Sequence, residues 1–307
     1  MAIAPRVAPG VAPRATPRAA SGAGSESGIS RAGRRLLFGA ALFYFCVPMA
    51  AVLIYSFATR WTDHILPDGY TLDWWAATLG DTRIRSAFST SLTLATLTAI
   101  IDILVVVPAA YWSRVRNARI RPVMDVAAAI PFALPYIVIA FGLMQFSGVV
   151  APQFQGTFPL LVLGHSAIAF PFVYWAVDGA MSAAGIERLS ETAEACGASP
   201  LQIVWRVVVP NISPGLVTGG LLSFAASFGE FAMAQIIGRG LDTVPLWSAE
   251  MIRSYTDTAG SYNRLAVVTL LTFAILFVIS AVVVYWNRGQ TVRMLPGAAA
   301  NREGDRS

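Results

Sequence analysis

The chain has 307 residues, of which 56% are hydrophobic and 13% charged. That is too few polar groups to cover a soluble globule of this size, so a membrane protein is expected. All 22 basic residues are Arg, which excludes a Walker A lysine and Schiff-base chemistry; ATP, if it drives this protein, is bound by another chain.

Residues 1–30 are rich in Ala, Pro, Gly and Ser, a composition that cannot bury a core and reads as a disordered tail. Arg31, Arg34 and Arg35 precede an apolar run over 36–58, long enough for a bilayer core of about 30 Å and longer than the h-region of an export signal. Residues 60–85 form a polar loop with Trp61, Trp74 and Trp75, a residue type that settles at the membrane interface. A second span is expected over 87–112, followed by Arg114, Arg116, Arg119 and Arg121, a basic cluster that marks a cytoplasmic loop. The third span, 122–146, contains Pro131 and Pro135 and is expected to kink or break there. A fourth covers 158–177, a fifth 215–237 and a sixth 263–286.

Between the fourth and fifth spans lies a polar-edged stretch, residues 191–214, ETAEACGASPLQIVWRVVVPNISP. From Ile186, apolar or small residues recur at Leu189, Ala193 and Cys196 while Glu187, Glu191 and Glu194 line another face, the pattern of an amphipathic helix. Gly197 is placed to stop it. Ser199-Pro200 restarts a helix as cap and first residue, with Gln202 completing a capping box. Leu201, Val204, Trp205 and Val208 are expected on one side of this second helix, and Pro210 is expected to end it. Ser213-Pro214 repeats the start signal. Two short helices joined at a glycine make an elbow.

Glu191, Thr192 and Ala193, then Gly197, then Val207, Val209 and Pro210 resemble the EAA loop of binding-protein-dependent ABC importer permeases. That pattern is Glu-Ala-Ala, three residues, Gly, nine residues, Ile-x-Leu-Pro. The spacing matches throughout; Thr192 replaces an Ala, and Val207 and Val209 replace Ile and Leu. The resemblance extends over about 36–289. The run 47–57, residues 89–94, Ala129-Ile130-Pro131 and Leu134-Pro135 are similar to the polyamine, phosphonate and ferric-iron branch. The loop WTDHILPDGYTLDWW at 61–75 is similar to 2-aminoethylphosphonate permeases, and SFGEF at 227–231 to iron and phosphonate members.

The resemblance implies an all-α polytopic protein of six transmembrane helices with the type I ABC importer permease fold, in a bacterial inner membrane. It divides the chain into a tail at 1–30, a permease domain at 31–290 with its coupling loop at 186–214, and a tail at 291–307. It implies no enzyme activity and no cofactor in this chain, with ATP bound by partner ATPase subunits. A second permease chain, the same or homologous, and an extracytoplasmic solute-binding protein complete the assembly; no nucleic acid is involved. Glu191, Ala193 and Gly197 would shape the elbow, Pro210 would close its motif, and Leu201, Val204 and Trp205 would fill a groove on the ATPase. The solute would be 2-aminoethylphosphonate, a polyamine or ferric iron. Sixteen of the arginines fall on the side of both termini and six on the other, so the termini and the elbow are expected to be cytoplasmic.

Polar groups inside the spans need shelter from hydrocarbon. Glu230, about fifteen residues into the fifth span and so roughly 22 Å deep at 1.5 Å per residue, is a candidate for the translocation pathway, as is Asp102. A hydrogen bond between helices is the alternative for both and for His165. An ion-coupled secondary carrier using Asp102 and Glu230 is the rival function, although no repeat of broken helices relates the two halves. With His64 far from His165, and Cys46 far from Cys196, neither a metal cluster nor a disulfide framework is expected.

Overall fold

A computed structural model describes residues 31–61, 64–253 and 260–291. The tail expected at 1–30, and all but the first residue of that at 291–307, lie outside these. The described residues are helical apart from short connections and one isolated bridge, Ala58 to Tyr70.

The spans sit where apolar length placed them: α1 (Arg31–Phe57), α3 (Thr82–Tyr111), α6 (Phe158–Ala184) and α13 (Ser261–Thr291). These four contain stretches long and apolar enough to cross a bilayer, and two bent helix pairs bring the total to six. Up to Met49 the chain forms a unit of its own, in which α1 exposes Leu36, Phe38, Phe43 and Phe45. Such a surface suits acyl chains, the only solvent that does not penalise it. A short helix, α2 (Asp73–Gly80), leads to Asp81, whose carboxylate caps α3 by accepting from the Arg83 N–H at 2.8 Å.

One bent pair contains α4 (Arg121–Ala133) and α5 (Tyr136–Val150); the other joins residues 200–211 to α10 (Ser213–Phe228), which α11 (Ala232–Ile237) follows after a break of its own. In the first, Pro131 stays inside α4 and the break falls at Leu134 and Pro135, both extended, where the chain bends by 109°. Steric restriction of the residue before proline selects that point. The fifth span differs from expectation. It is not one helix over 215–237, because residues 229–231 leave the helical register.

The centre is a trio of α3, α6 and α10. Apolar burial offers little between helices in lipid, so close packing and interhelical hydrogen bonds hold them. Residues at four-residue intervals on α10, namely Gly215, Gly219, Ser223 and Ser227, are all buried. A Cβ at Gly215 would lie 2.5 Å from the Ala180 Cβ and 2.6 Å from the Ala176 carbonyl oxygen; one at Gly219 would lie 2.9 Å from the Val173 Cα. Backbones therefore touch along α6 and α10, the small-xxx-small arrangement. Where the stripe turns to serine it makes polar contacts. Ser223 Oγ donates to Asp102 at 2.7 Å, and Ser227 Oγ lies 2.9 Å from His165 Nδ1 and 3.3 Å from Thr98 Oγ1. Such bonds contribute on average about 0.6 kcal/mol each in a membrane.

Candidate functional site

The elbow begins where Gly185, in the left-handed region at φ 61°, turns α6 into α7 (Ile186–Ala195). Gly197, at φ 83°, then ends the amphipathic turn. Its N–H donates to the Glu194 carbonyl, and the Ala198 N–H donates to that of Ala193, closing the helix with its last carbonyls satisfied. The capping box forms as expected. Ser199 Oγ accepts from the Gln202 N–H, and the Ser199 N–H donates to Gln202 Oε1 at 2.9 Å.

Beyond α8 (Pro200–Ile203), the helical path does not end at Pro210. It passes through a π turn, Val204–Val208, into α9 (Val209–Asn211). The Val209 N–H reaches back five residues to the Val204 carbonyl, a register shift that admits a proline without stopping the chain. The path then turns by 79° into α10.

This register redistributes the expected docking face. Leu201 and Trp205 are 69% and 55% exposed, Val204 is half-buried, and Val208 is buried with Ile203. Ile186, Ile203, Val208 and Ile212 share one cluster with Val106, Val107 and Tyr111 of α3 and Val173, Val177 and Met181 of α6. The elbow is thus packed as one body with two spans, while Leu201 and Trp205 project outward. Ala193 packs at the cluster's edge; Glu191 and Pro210 are exposed.

The anchors of the elbow were not legible as such. Arg114, with only 5% of its side chain exposed, donates to Asp178 of α6 at 2.7 Å and to Glu187 of α7 at 2.8 Å. A further bond reaches the Asp178 carbonyl at 3.1 Å. Arg121 also reaches Asp178, at 3.1 Å, and Arg116 pairs with Glu194 at 2.5 Å. Burial acts to raise the Glu187 carboxyl, but its own backbone N–H and the Arg114 guanidinium outweigh that and hold it below the usual carboxylate range. The basic cluster that marks topology in the sequence also clamps α7 to the end of α3. Only its density gave a local signal; the partners lie 57–78 residues away.

The two intramembrane carboxylates prove to be far apart in role. Asp102 is 3% exposed and accepts from Ser223, a partner that sequence proximity could not suggest. Glu230 sits in the break between α10 and α11, half-buried, where its carboxylate accepts from the Met233 N–H at 2.8 Å. It caps the second half of the span, so its depth is not that of a continuous helix. Glu230→Gln retains an accepting oxygen and is expected to leave thermal stability in detergent unchanged, whereas Glu230→Ala loses about 1 kcal/mol. Equal stability of the two variants would remove the capping role.

The family described as "Binding-protein-dependent transport system inner membrane component" matches residues 103–292. The molybdenum transport system permease protein ModB of Azotobacter vinelandii is 33% identical over 164 residues, covering 50% of this chain and 72% of that protein. A putative 2-aminoethylphosphonate transport system permease protein, PhnV of Salmonella typhi, is 27% identical, covering 76% and 86%. The putrescine transport system permease protein PotI of Escherichia coli K12 is 26% identical, covering 71% and 78%. Among solved structures, a bacterial ABC transporter involved in the import of alginate superposes with a TM-score of 0.63 at 17% identity, over 84% of this chain and 98% of that one. At that identity the likeness is one of fold.

Proposed function

Because the chain belongs to the family of binding-protein-dependent transport system inner membrane components, and is thus a permease subunit of an ABC importer, we propose that its elbow is the surface on which a separate ATPase docks. The observation that carries this reading is the pair of exposed apolar side chains, Leu201 and Trp205, on an elbow whose other face is buried among α3 and α6. An apolar pair held on a rigid body can transmit a push to the spans, and large buried anchors dominate interface energetics. Val204, half-buried, packs against the cluster beneath the elbow. Glu191, Ala193 and Gly197 set the shape of the turn, and Pro210 accompanies the π turn that re-aims Leu201 and Trp205.

In this reading both termini and the elbow are cytoplasmic, in agreement with the arginine distribution. A binding protein delivers solute to the opposite side, ATP closes the partner ATPase dimer, and a second permease chain completes the pathway. The solute is a small charged molecule: 2-aminoethylphosphonate, a polyamine or ferric iron from the loop motifs. The named relatives divide between molybdenum, 2-aminoethylphosphonate and putrescine.

The test is purification of the tagged chain from its native membrane in mild detergent, with mass spectrometry of what accompanies it. An ATP-binding subunit is expected in near-stoichiometric yield. A Cβ at Gly197 would meet nothing within 4 Å, so the cost of Gly197→Leu is backbone strain of about 1–2 kcal/mol. That variant is expected to insert normally and to lose about 10-fold or more of the recovered ATPase, since 1.4 kcal/mol is tenfold in affinity. Recovery of the chain alone, with ion-dependent transport after reconstitution, would overturn the reading in favour of a secondary carrier.

A further inference from the structure

At the end of α3 remote from the elbow, a cleft of about 430 Å³ opens between Arg83, α11 and α12 (Val244–Arg253). A second cleft, about 370 Å³, adjoins it and shares Gln235 and Arg239. Each is of the size that accepts a small molecule. Their charges are of two kinds. Arg83 is committed: its guanidinium forks onto Asp242 at 3.0 Å and Glu250 at 2.5 Å. The Arg83 hydrogen bond holds the Glu250 carboxyl below the usual range. Both pairs fix the wall between α3 and α12.

Arg239 and Arg253 are different. Neither has a carboxylate partner among the described residues. Arg253 lies over the Phe231 ring at 5.6 Å and beside the Gln235 side chain at 3.4 Å, contacts that orient a guanidinium without neutralising it. Arg239 lines both clefts, and Gln145 adds an amide in the second. Two uncommitted planar forks with amide donors match the oxygens of a tetrahedral anion, which arginine binds bidentately. A polyamine would need carboxylates, and the two in the cleft are taken by Arg83.

We propose that this double cleft, around Arg239, Arg253 and Gln145, is a receiving subsite for a small oxyanion, of the phosphonate or molybdate class. The proposal rests on the importer reading above and selects anions among its solutes. The subsite borders α11, whose Gln235 lines both clefts and whose start Glu230 caps, so an occupant touches the segment that follows the break.

The test uses the full purified transporter in proteoliposomes, with Cys46 and Cys196 replaced by Ser and Ala249→Cys, which lines the first cleft, as the reporter. Its modification by an anionic methanethiosulfonate (ethylsulfonate) and a cationic one (ethyltrimethylammonium) is timed, each normalised to its rate with free cysteine. With Arg83, Arg239 and Arg253 against Asp242 and Glu250 the cleft is net positive, and such a cleft concentrates anions by about 10-fold, so the anionic reagent is expected to lead by about that factor. Arg239→Gln and Arg253→Gln should each reduce the lead severalfold. Added 2-aminoethylphosphonate or molybdate should slow labelling, and putrescine should not. A ratio at or below one overturns the proposal, as does labelling that neither anion slows. So does labelling slowed only by added binding protein, which would make the patch a docking surface. None of these readouts depends on the ATPase: its absence from the purified complex would instead overturn the importer reading.

Discussion

Arg114→Met is expected to raise the rate of tryptic cleavage at Arg188 by about 10- to 100-fold, while the chain still inserts and α3, α6 and α10 remain protected. Arg188 is exposed but helical within α7, so cleavage there requires local opening of the elbow and follows its equilibrium population. Arg114 bridges Asp178 and Glu187 with 5% of its side chain exposed. Glu187 is 42% exposed, so what is lost is a charge-assisted hydrogen bond to α7, about 1.5–3 kcal/mol, which is roughly one to two powers of ten in the open population. Arg121 retains Asp178, so the loss should fall on α7 and not on α6. A double variant, Arg114→Met with Glu187→Gln, leaves Asp178 to Arg121 and removes the carboxylate that lost its partner, and is expected to recover most of the protection. If Arg114→Met alone were cleaved at the wild-type rate, the clamp would not hold the elbow.

Gly215→Ala is expected to lower the thermal stability of the detergent-solubilised protein by about 1–3 kcal/mol, the range for overpacking a tight contact. The methyl would meet the Ala176 carbonyl oxygen at 2.6 Å and the Ala180 Cβ at 2.5 Å. Backbone cannot rotate away as a side chain can, so α6 and α10 must separate and stretch the bonds from Ser223 and Ser227 further along. Gly220→Ala, five residues on, is the control. Its methyl would meet only the Ile103 Cδ1, at 3.1 Å, the mobile tip of a side chain, and alanine is favoured over glycine in a helix by about 1 kcal/mol. That variant is expected to be neutral or slightly stabilised. Fluorescence-detected thermal aggregation of the two side by side decides; similar midpoints would mean that the contact at Gly215 is not close.

Much of the elbow was legible because its determinants are local. Gly197 needs positive φ, and Ser199 and Gln202 satisfy each other's backbone within four residues. Pro210 misled, since the rule that proline ends a helix assumes an α register and the π turn Val204–Val208 changes it. That one change puts Val208 in the core and leaves Leu201 and Trp205 outside. Gly215, with Gly219, forms a GxxxG signal readable before the structure. Its partner helix was not.

Apolar length, proline and cap residues by themselves determined where the spans lie, except for the break at 229–231 in the fifth, together with the interruption at Pro135 and the helices of the elbow, because backbone hydrogen bonds in lipid must be satisfied within the segment that contains them. Only the tertiary structure decided that Arg114 clamps Asp178 and Glu187, that Asp102 meets Ser223, that Glu230 caps α11, and that Arg83 is paired with Asp242 and Glu250 while Arg239 and Arg253 meet no carboxylate among the described residues. Charges and hydroxyls act over a few ångströms, and which of them come that close across 60–170 residues of chain is set by how helices pack.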